Sequence, residues 1–113
     1  MTEISLGCVN GRKVALAANG HAEFSEKGQD VVCAAVSALV QALFYGFYEV
    51  LKEKNLRSKI DGEKAIMALD WSRCESKSSA VLAETIIGSL KEIARAYPGH
   101  VSILEVRLNE MYF

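Results

Sequence analysis

The sequence predicts an α/β (α+β) single domain, a four-stranded sheet packed with two long helices in the order β-β-α-β-α-β, on three observations. Two segments of alternating apolar residues flank an Asn-Gly pair, two longer segments carry apolar residues at helical spacing, and two further short runs read as strands. The chain has 113 residues, enough for one core and too few for two ordinary domains. No Pro, Gly or Ser-rich linker interrupts it, so residues 1–113 are read as one unit.

Thr2 to Val9 alternates Ile4, Leu6 and Cys8 on one face, and Arg12 to Ala18 alternates Val14, Leu16 and Ala18. Between them Asn10-Gly11 suits the two positive φ angles of a type I′ turn, which makes the pair a hairpin. Asn19 to Ala22 and the polar run Glu23 to Gln29 lack apolar periodicity and read as a loop. Asp30 is an N-cap candidate, and the apolar, Ala-rich stretch from Val31 extends a helix to about Lys54. Lys64 to Trp71 reads as a third strand. Ser78 to Tyr97 reads as a second helix with Leu82, Ile86, Leu90, Ile93 and Tyr97 on one face, stopped by Pro98-Gly99. Val101 to Leu108 is the last strand, with an imperfect alternation at Ile103-Leu104 that suggests a bulge.

Composition excludes several function classes. Thirteen Lys and Arg against 14 acids, for a net charge of -1, supply no concentrated basic face for nucleic-acid phosphates. Lys52, Lys54, Arg57 and Lys59 form a loose basic cluster diluted by Glu53 and Asp61, which reads as a solvated face. Three cysteines without CxxC spacing fit neither a disulfide framework nor a zinc ribbon, no metal-ligand cluster or phosphate loop appears, and no cofactor is expected. The N-terminus lacks a signal-peptide pattern, and a cytoplasmic location is expected. Val31 to Leu51 has the length of a membrane span, but Cys33, Ser37, Gln41, Tyr45, Tyr48 and Lys52 recur at three and four-residue intervals. That stripe fits a central core helix, not a membrane partner. The helix is apolar over more than half its circumference, so it needs cover on more than one side, and a homodimer is expected.

Cys33 and His21 are the residues with chemical potential. A free thiol has a pKa of about 8.5, so near neutrality something must remove its proton before it attacks a carbonyl. With Asp30 as the cap, Cys33 falls in the first turn of the long helix, where free N–H groups and the dipole favour negative charge. Those N–H groups also suit a developing oxyanion, and small Ala34 and Ala35 leave room for a substrate backbone. His21 lies across the loop, with Gly20 permitting a sharp turn before it, and an imidazole can take the thiol proton and pass it on. Taken singly, Cys33 reads as a small buried hydrophobe, His21 as a loop histidine, Asp30 as a cap and Ser37 as a hydroxyl bonded back to its helix.

Taken together, Gly20-His21-Ala22 followed by Asp30-Val31-Val32-Cys33-Ala34-Ala35-Val36-Ser37-Ala38-Leu39 resembles the signature of the ribosomal-processing cysteine protease family, called Prp. The element order and the short length are similar as well. The resemblance implies an endopeptidase that removes an N-terminal extension from bacterial large-ribosomal-subunit protein twenty-seven, a peptide segment being its partner. It places the family's catalytic cysteine at Cys33, its histidine at His21, and its characteristic glycine, aspartate and serine at Gly20, Asp30 and Ser37. Ala22 and Ala34, beside the two catalytic positions, are the substrate-binding candidates. It also implies a homodimer with a flexible loop between histidine and cysteine.

The remaining candidates read as structural. Cys8 is expected in the core, Cys74 as a surface thiol, His100 as a solvated turn residue, and Trp71 in the core. Two other readings compete with proteolysis: a ribosome-associated binding module on the same scaffold, and a thiol redox sensor, for which neither Cys8 nor Cys74 is obviously placed as a resolving partner.

Overall fold

The computed structural model describes residues 2–20, 29–63, 66–111 and 113. Strands β1 (Thr2–Val9) and β2 (Arg12–Asn19) lead to helix α1 (Gln29–Tyr45), which runs on into one wide π turn, Gly46–Val50. Then come β3 (Arg57–Asp61), β4 (Ile66–Asp70), α2 (Lys77–Ala96), β5 (Val101–Arg107) and a short 3-10 turn, Leu108–Glu110. The sheet has five strands in the order β3-β4-β2-β1-β5, with β5 parallel to β1 and the other pairings antiparallel.

The α+β class is as expected, but the order is β-β-α-β-β-α-β. The additional strand is β3, whose sequence Arg-Ser-Lys-Ile-Asp is exposed except at Asp61 and alternates nothing apolar. It occupies one edge of the sheet, where pairing with β4 alone shapes it, so the periodicity that betrays a half-buried strand is missing. The long helix also ends earlier than expected. Lys52 takes a left-handed φ of 54°, which no helix continues. Lys52, Lys54, Arg57 and Lys59 are all exposed, as expected of a solvated cluster.

Asn10 and Gly11 have φ of 51° and 79°, the two positive values that a type I′ hairpin requires. The hairpin contains a bulge. Gly7 pairs with Ala15 while Cys8 pairs with Lys13, leaving Val14 as the extra residue on β2. The Val14 carbonyl is not left idle, because Trp71 N–H donates to it at 2.8 Å. This bulge lets Val14, Ala15 and Leu16 all be buried in succession. The irregularity expected in the last strand is absent, since β5 keeps an unbroken register with β1 from Thr2↔Val101 to Cys8↔Arg107.

One core serves both helices. Ile4, Leu6, Leu16 and Leu69 of the sheet meet Val32, Val36, Val40, Leu43 and Phe47 from α1 and its π turn, and Ala83, Ile86, Ile87 and Leu90 from α2. The Val31–Val50 stretch is long and apolar enough to span a bilayer, and 28% of it is buried, as one stripe laid against the sheet, which is less cover than the central core helix expected from the sequence. Trp71 is buried as expected and its ring stacks on Phe47 at 5.4 Å. Helix α2 begins at Ser76, whose hydroxyl accepts from Ser79 N–H, and Glu53 takes hydrogen bonds from the hydroxyls of Ser76 and Ser79.

Gly7, Ala15, Asp70 and Arg57 form a cross-strand row. A Cβ on Gly7 would collide with Met111 and Ala15, so glycine there admits the C-terminal segment against the sheet. Asp70 is buried in this row, with Arg57 Nη2 at 2.7 Å and Ser72 N–H at 2.8 Å. Burial works to raise its pKa, but the bonds from Ser72 and Arg57 outweigh it and hold the carboxyl below the usual carboxylate range. A depressed folded-state value contributes stability that is complete above the unfolded pKa and is lost as pH falls through the folded one. Asp70→Asn should therefore cost about 1–3 kcal/mol at pH 7 and lose less than wild type between pH 7 and pH 3, read from urea midpoints. Parallel losses in the two proteins would show that Asp70 is not the linked group.

Candidate active site

The hairpin register puts Glu3 opposite Asn19, so the start of β1 and the end of β2 come out side by side, with Thr2 next to Gly20. Helix α1 passes over this end of the sheet. Its buried stripe, Val32, Val36 and Val40, anchors it there and turns the neighbouring Cys33 and Ser37 toward the same opening. The result is a cavity of about 340 Å³ bordered by Thr2, Gly20, Cys33, Ser37, Gln41 and Met67, with Ala18, Val36, Val40, Ile60 and Ile66 as apolar wall. Asp61 is the one charged side chain among its described lining residues. A shallower apolar groove continues from it along α1, past Ala38, Ala42, Phe44, Tyr45 and Val50, and shares Gln41, Ile60 and Met67 with the cavity.

Cys33 is half-buried, and its Sγ lies 3.0 Å from the Thr2 hydroxyl. A sulfur in this position is reachable from the cavity while being held on its inner side. Cys8, Cys33 and Cys74 form no disulfide. Cys74, expected at the surface, is instead buried, because its N–H bonds the Trp71 carbonyl and the turn folds it into the core. Burial, with the nearby Glu53 carboxylate, pushes the Cys74 thiol up to about 11, so it stays protonated and inert near neutrality. Cys8, expected in the core, is only half-buried. It sits at the hairpin end beyond the bulge, with its sulfur 3.8 Å from a Glu105 carboxylate oxygen.

Of the residues singled out from the sequence, Gly20, Cys33 and Ser37 come together at the cavity. Ala34 is exposed and does not border it. His21, Ala22 and the polar run as far as Gly28 lie outside the described residues, as do the side chains of Gln29 and Asp30. The helical backbone is already formed at Gln29, so Asp30 falls inside the first turn and not at the cap position expected for it. Cys33 follows Gln29 by four residues in the described helix, so it lies within the helical ladder. His100 is half-buried and lends its carbonyl to Thr2 N–H at 3.0 Å, away from the cavity lining.

Sequence reasoning passed over Thr2, Gln41, Asp61 and Met67. Strand register and the β3 edge bring Thr2, Asp61 and Met67 to the opening and leave no local signal, whereas Gln41 follows Cys33 and Ser37 at helical spacing along α1. The arrangement is that of a thiol beside an apolar cleft open at one side, suited to a chain that must be laid against a nucleophile.

Residues 1–102 match the family described as Cysteine protease Prp. The chain is 37% identical over 92 residues to the ribosomal processing cysteine protease Prp of Mycoplasma genitalium, spanning 80% of this chain and 86% of that one. Its likeness to the protein of that name in Mycoplasma pneumoniae is 32% over 95 residues, 84% and 90% of the two chains. The fold is shared with the essential ribosomal processing protease Prp of S. aureus, crystallised with a substrate peptide. The TM-score is 0.84 at 18% identity, over 94% of this chain and all of that one (100%).

Proposed function

This chain belongs to the Prp family of cysteine proteases, and from that membership we propose that Cys33 is its nucleophile and His21 its general base. The thiol proton passes to the imidazole, the sulfur attacks the scissile carbonyl, and first-turn N–H groups of α1 stabilise the tetrahedral oxygen. The imidazolium then protonates the leaving amine. Water, deprotonated by the same imidazole, hydrolyses the resulting thioester, frees a carboxylate and restores the thiol. No cofactor enters this sequence of steps.

One observation carries the reading: the Cys33 sulfur opens onto a cavity also bordered by Gly20, the residue directly before His21. Ser37 lies on the same rim, and an apolar groove continues beyond it along α1, a surface suited to a peptide chain. The substrate we assign is the N-terminal extension of large-ribosomal-subunit protein twenty-seven, in the cytoplasm. Relatives named for ribosomal processing support it. A homodimer is part of the same reading, supported by the exposed Tyr45, Tyr48 and Val50 on the long helix and its π turn.

The test is a peptide spanning the extension junction of the host's own protein twenty-seven. Wild type should cut it at one bond, and His21→Ala should lower kcat/KM by about 10²–10⁴. An uncut peptide, with a folded enzyme whose Cys33 still titrates with iodoacetamide, would end the substrate assignment. Full activity in His21→Ala would end the assignment of the base.

A further inference from the structure

We propose that Thr2 is a positioning residue for Cys33, donating its hydroxyl proton to the sulfur once the thiol has ionised; this rests on Cys33 being the nucleophile. Thr2 Oγ1 and Cys33 Sγ are 3.0 Å apart across 31 positions of sequence, joining the first strand to the helix. Thr2 is only 3% exposed, and a hydroxyl so buried needs a hydrogen-bond partner. Among the described residues that partner is the sulfur.

The hydroxyl is rigidly placed. Thr2 pairs with Val101 of β5, and its N–H bonds the His100 carbonyl at 3.0 Å. Being β-branched, its side chain has few rotamers to choose from on a strand. A Cβ at Gly20 would lie 3.7 Å from Thr2 Oγ1, so the hydroxyl faces the glycine that precedes His21 as well as the sulfur.

With a neutral thiol either group can donate. A thiolate has no proton to give, which fixes the direction: Thr2 O–H donates and the sulfur accepts. Hydrogen bonds to an ionised partner are the stronger kind, so this one tightens when the nucleophile is generated. It also limits rotation of the sulfur, keeping it at the mouth of the cavity where a carbonyl can reach it. Thr2 itself touches no substrate atom in this scheme, and no bond to it forms or breaks.

Thr2→Val keeps the shape and removes the hydroxyl, whereas Thr2→Ser keeps the hydroxyl and removes a methyl. Two readouts serve: iodoacetamide alkylation of Cys33 at pH 7, followed by peptide mass spectrometry, and steady-state cleavage of the junction peptide. Thr2→Val should slow alkylation about tenfold and lower kcat by a similar factor with KM within twofold, and Thr2→Ser should recover most of both. Wild-type rates in Thr2→Val would overturn the proposal, as would a Thr2→Ser enzyme as impaired as Thr2→Val, which marks a packing role. If Thr2→Val does not fold, Thr2→Ser and Thr2→Ala differ by the hydroxyl alone. A Ser-to-Ala alkylation ratio near ten supports the proposal and a ratio of one overturns it. Alkylation needs no substrate, so an uncut peptide would discredit the substrate assignment without touching this inference.

Discussion

Cys33→Ala should reduce kcat/KM on the junction peptide by a factor on the order of 10³ or more, while the melting temperature stays within a few degrees of wild type. The two halves of this expectation have different physical origins. In the proposed mechanism covalent catalysis ends with the sulfur, since alanine offers neither a nucleophile nor a proton for the imidazole. The small stability change follows from position: Cys33 is half-buried on a cavity wall, and trimming one sulfur there enlarges an opening already in communication with solvent. Cys33→Ser is the sharper variant. It keeps a partner for Thr2 and nearly the same volume, but a hydroxyl gives up its proton far less readily than a thiol, and activity should fall almost as far. Mass-spectrometric counting of cut and uncut peptide checks both. Either variant cutting within tenfold of wild type would remove Cys33 from the mechanism.

The largest expected loss of stability comes from a residue outside the site. Phe47 is 0% exposed, lies in the π turn that ends the long helix, and stacks on Trp71 with rings 27° from parallel. Phe47→Ala should cost about 3–5 kcal/mol, from lost burial and from the hole left against Trp71 and Leu43. Domains of this size hold roughly 5–15 kcal/mol in total, so the variant should melt lower by on the order of 15 °C. Its neighbour Tyr48 is the internal control. That ring is 57% exposed and stacks on Phe44, so Tyr48→Ala should cost under about 1 kcal/mol. Equal losses in the two variants would mean that this core does not depend on the π turn.

What could be read in advance follows from how local each signal is. The hairpin was legible because Asn10-Gly11 sets two φ angles by itself. Helix α2 was legible because Ile86 and Leu90 repeat at its period and Pro98-Gly99 stops it. Cys33, Ser37 and Gly20 were grouped by their resemblance to the family signature, and they border one cavity. Strand β3 was hidden because an edge strand exposed on both faces carries no alternation. Cys74 was misplaced for a related reason: its flanks Ser72, Arg73, Glu75 and Ser76 are polar, and only a backbone bond to Trp71 turns it inward. Thr2 was invisible because its meaning depends on the β1 to α1 approach, which no short stretch of sequence encodes.

The β3 border has a further consequence. A flat, apolar outer strand would offer its unused N–H and C=O groups to the same strand of another molecule, and the sheets could grow sideways into aggregates. Ser58 and Lys59 are exposed on this border, and Arg57, though paired with Asp70, keeps more than half of its side chain in water, so a second copy approaching in register would bring like charges together. The polar character that concealed this strand from a hydrophobicity pattern is therefore also expected to discourage a crowded solution of the enzyme from polymerising along that side.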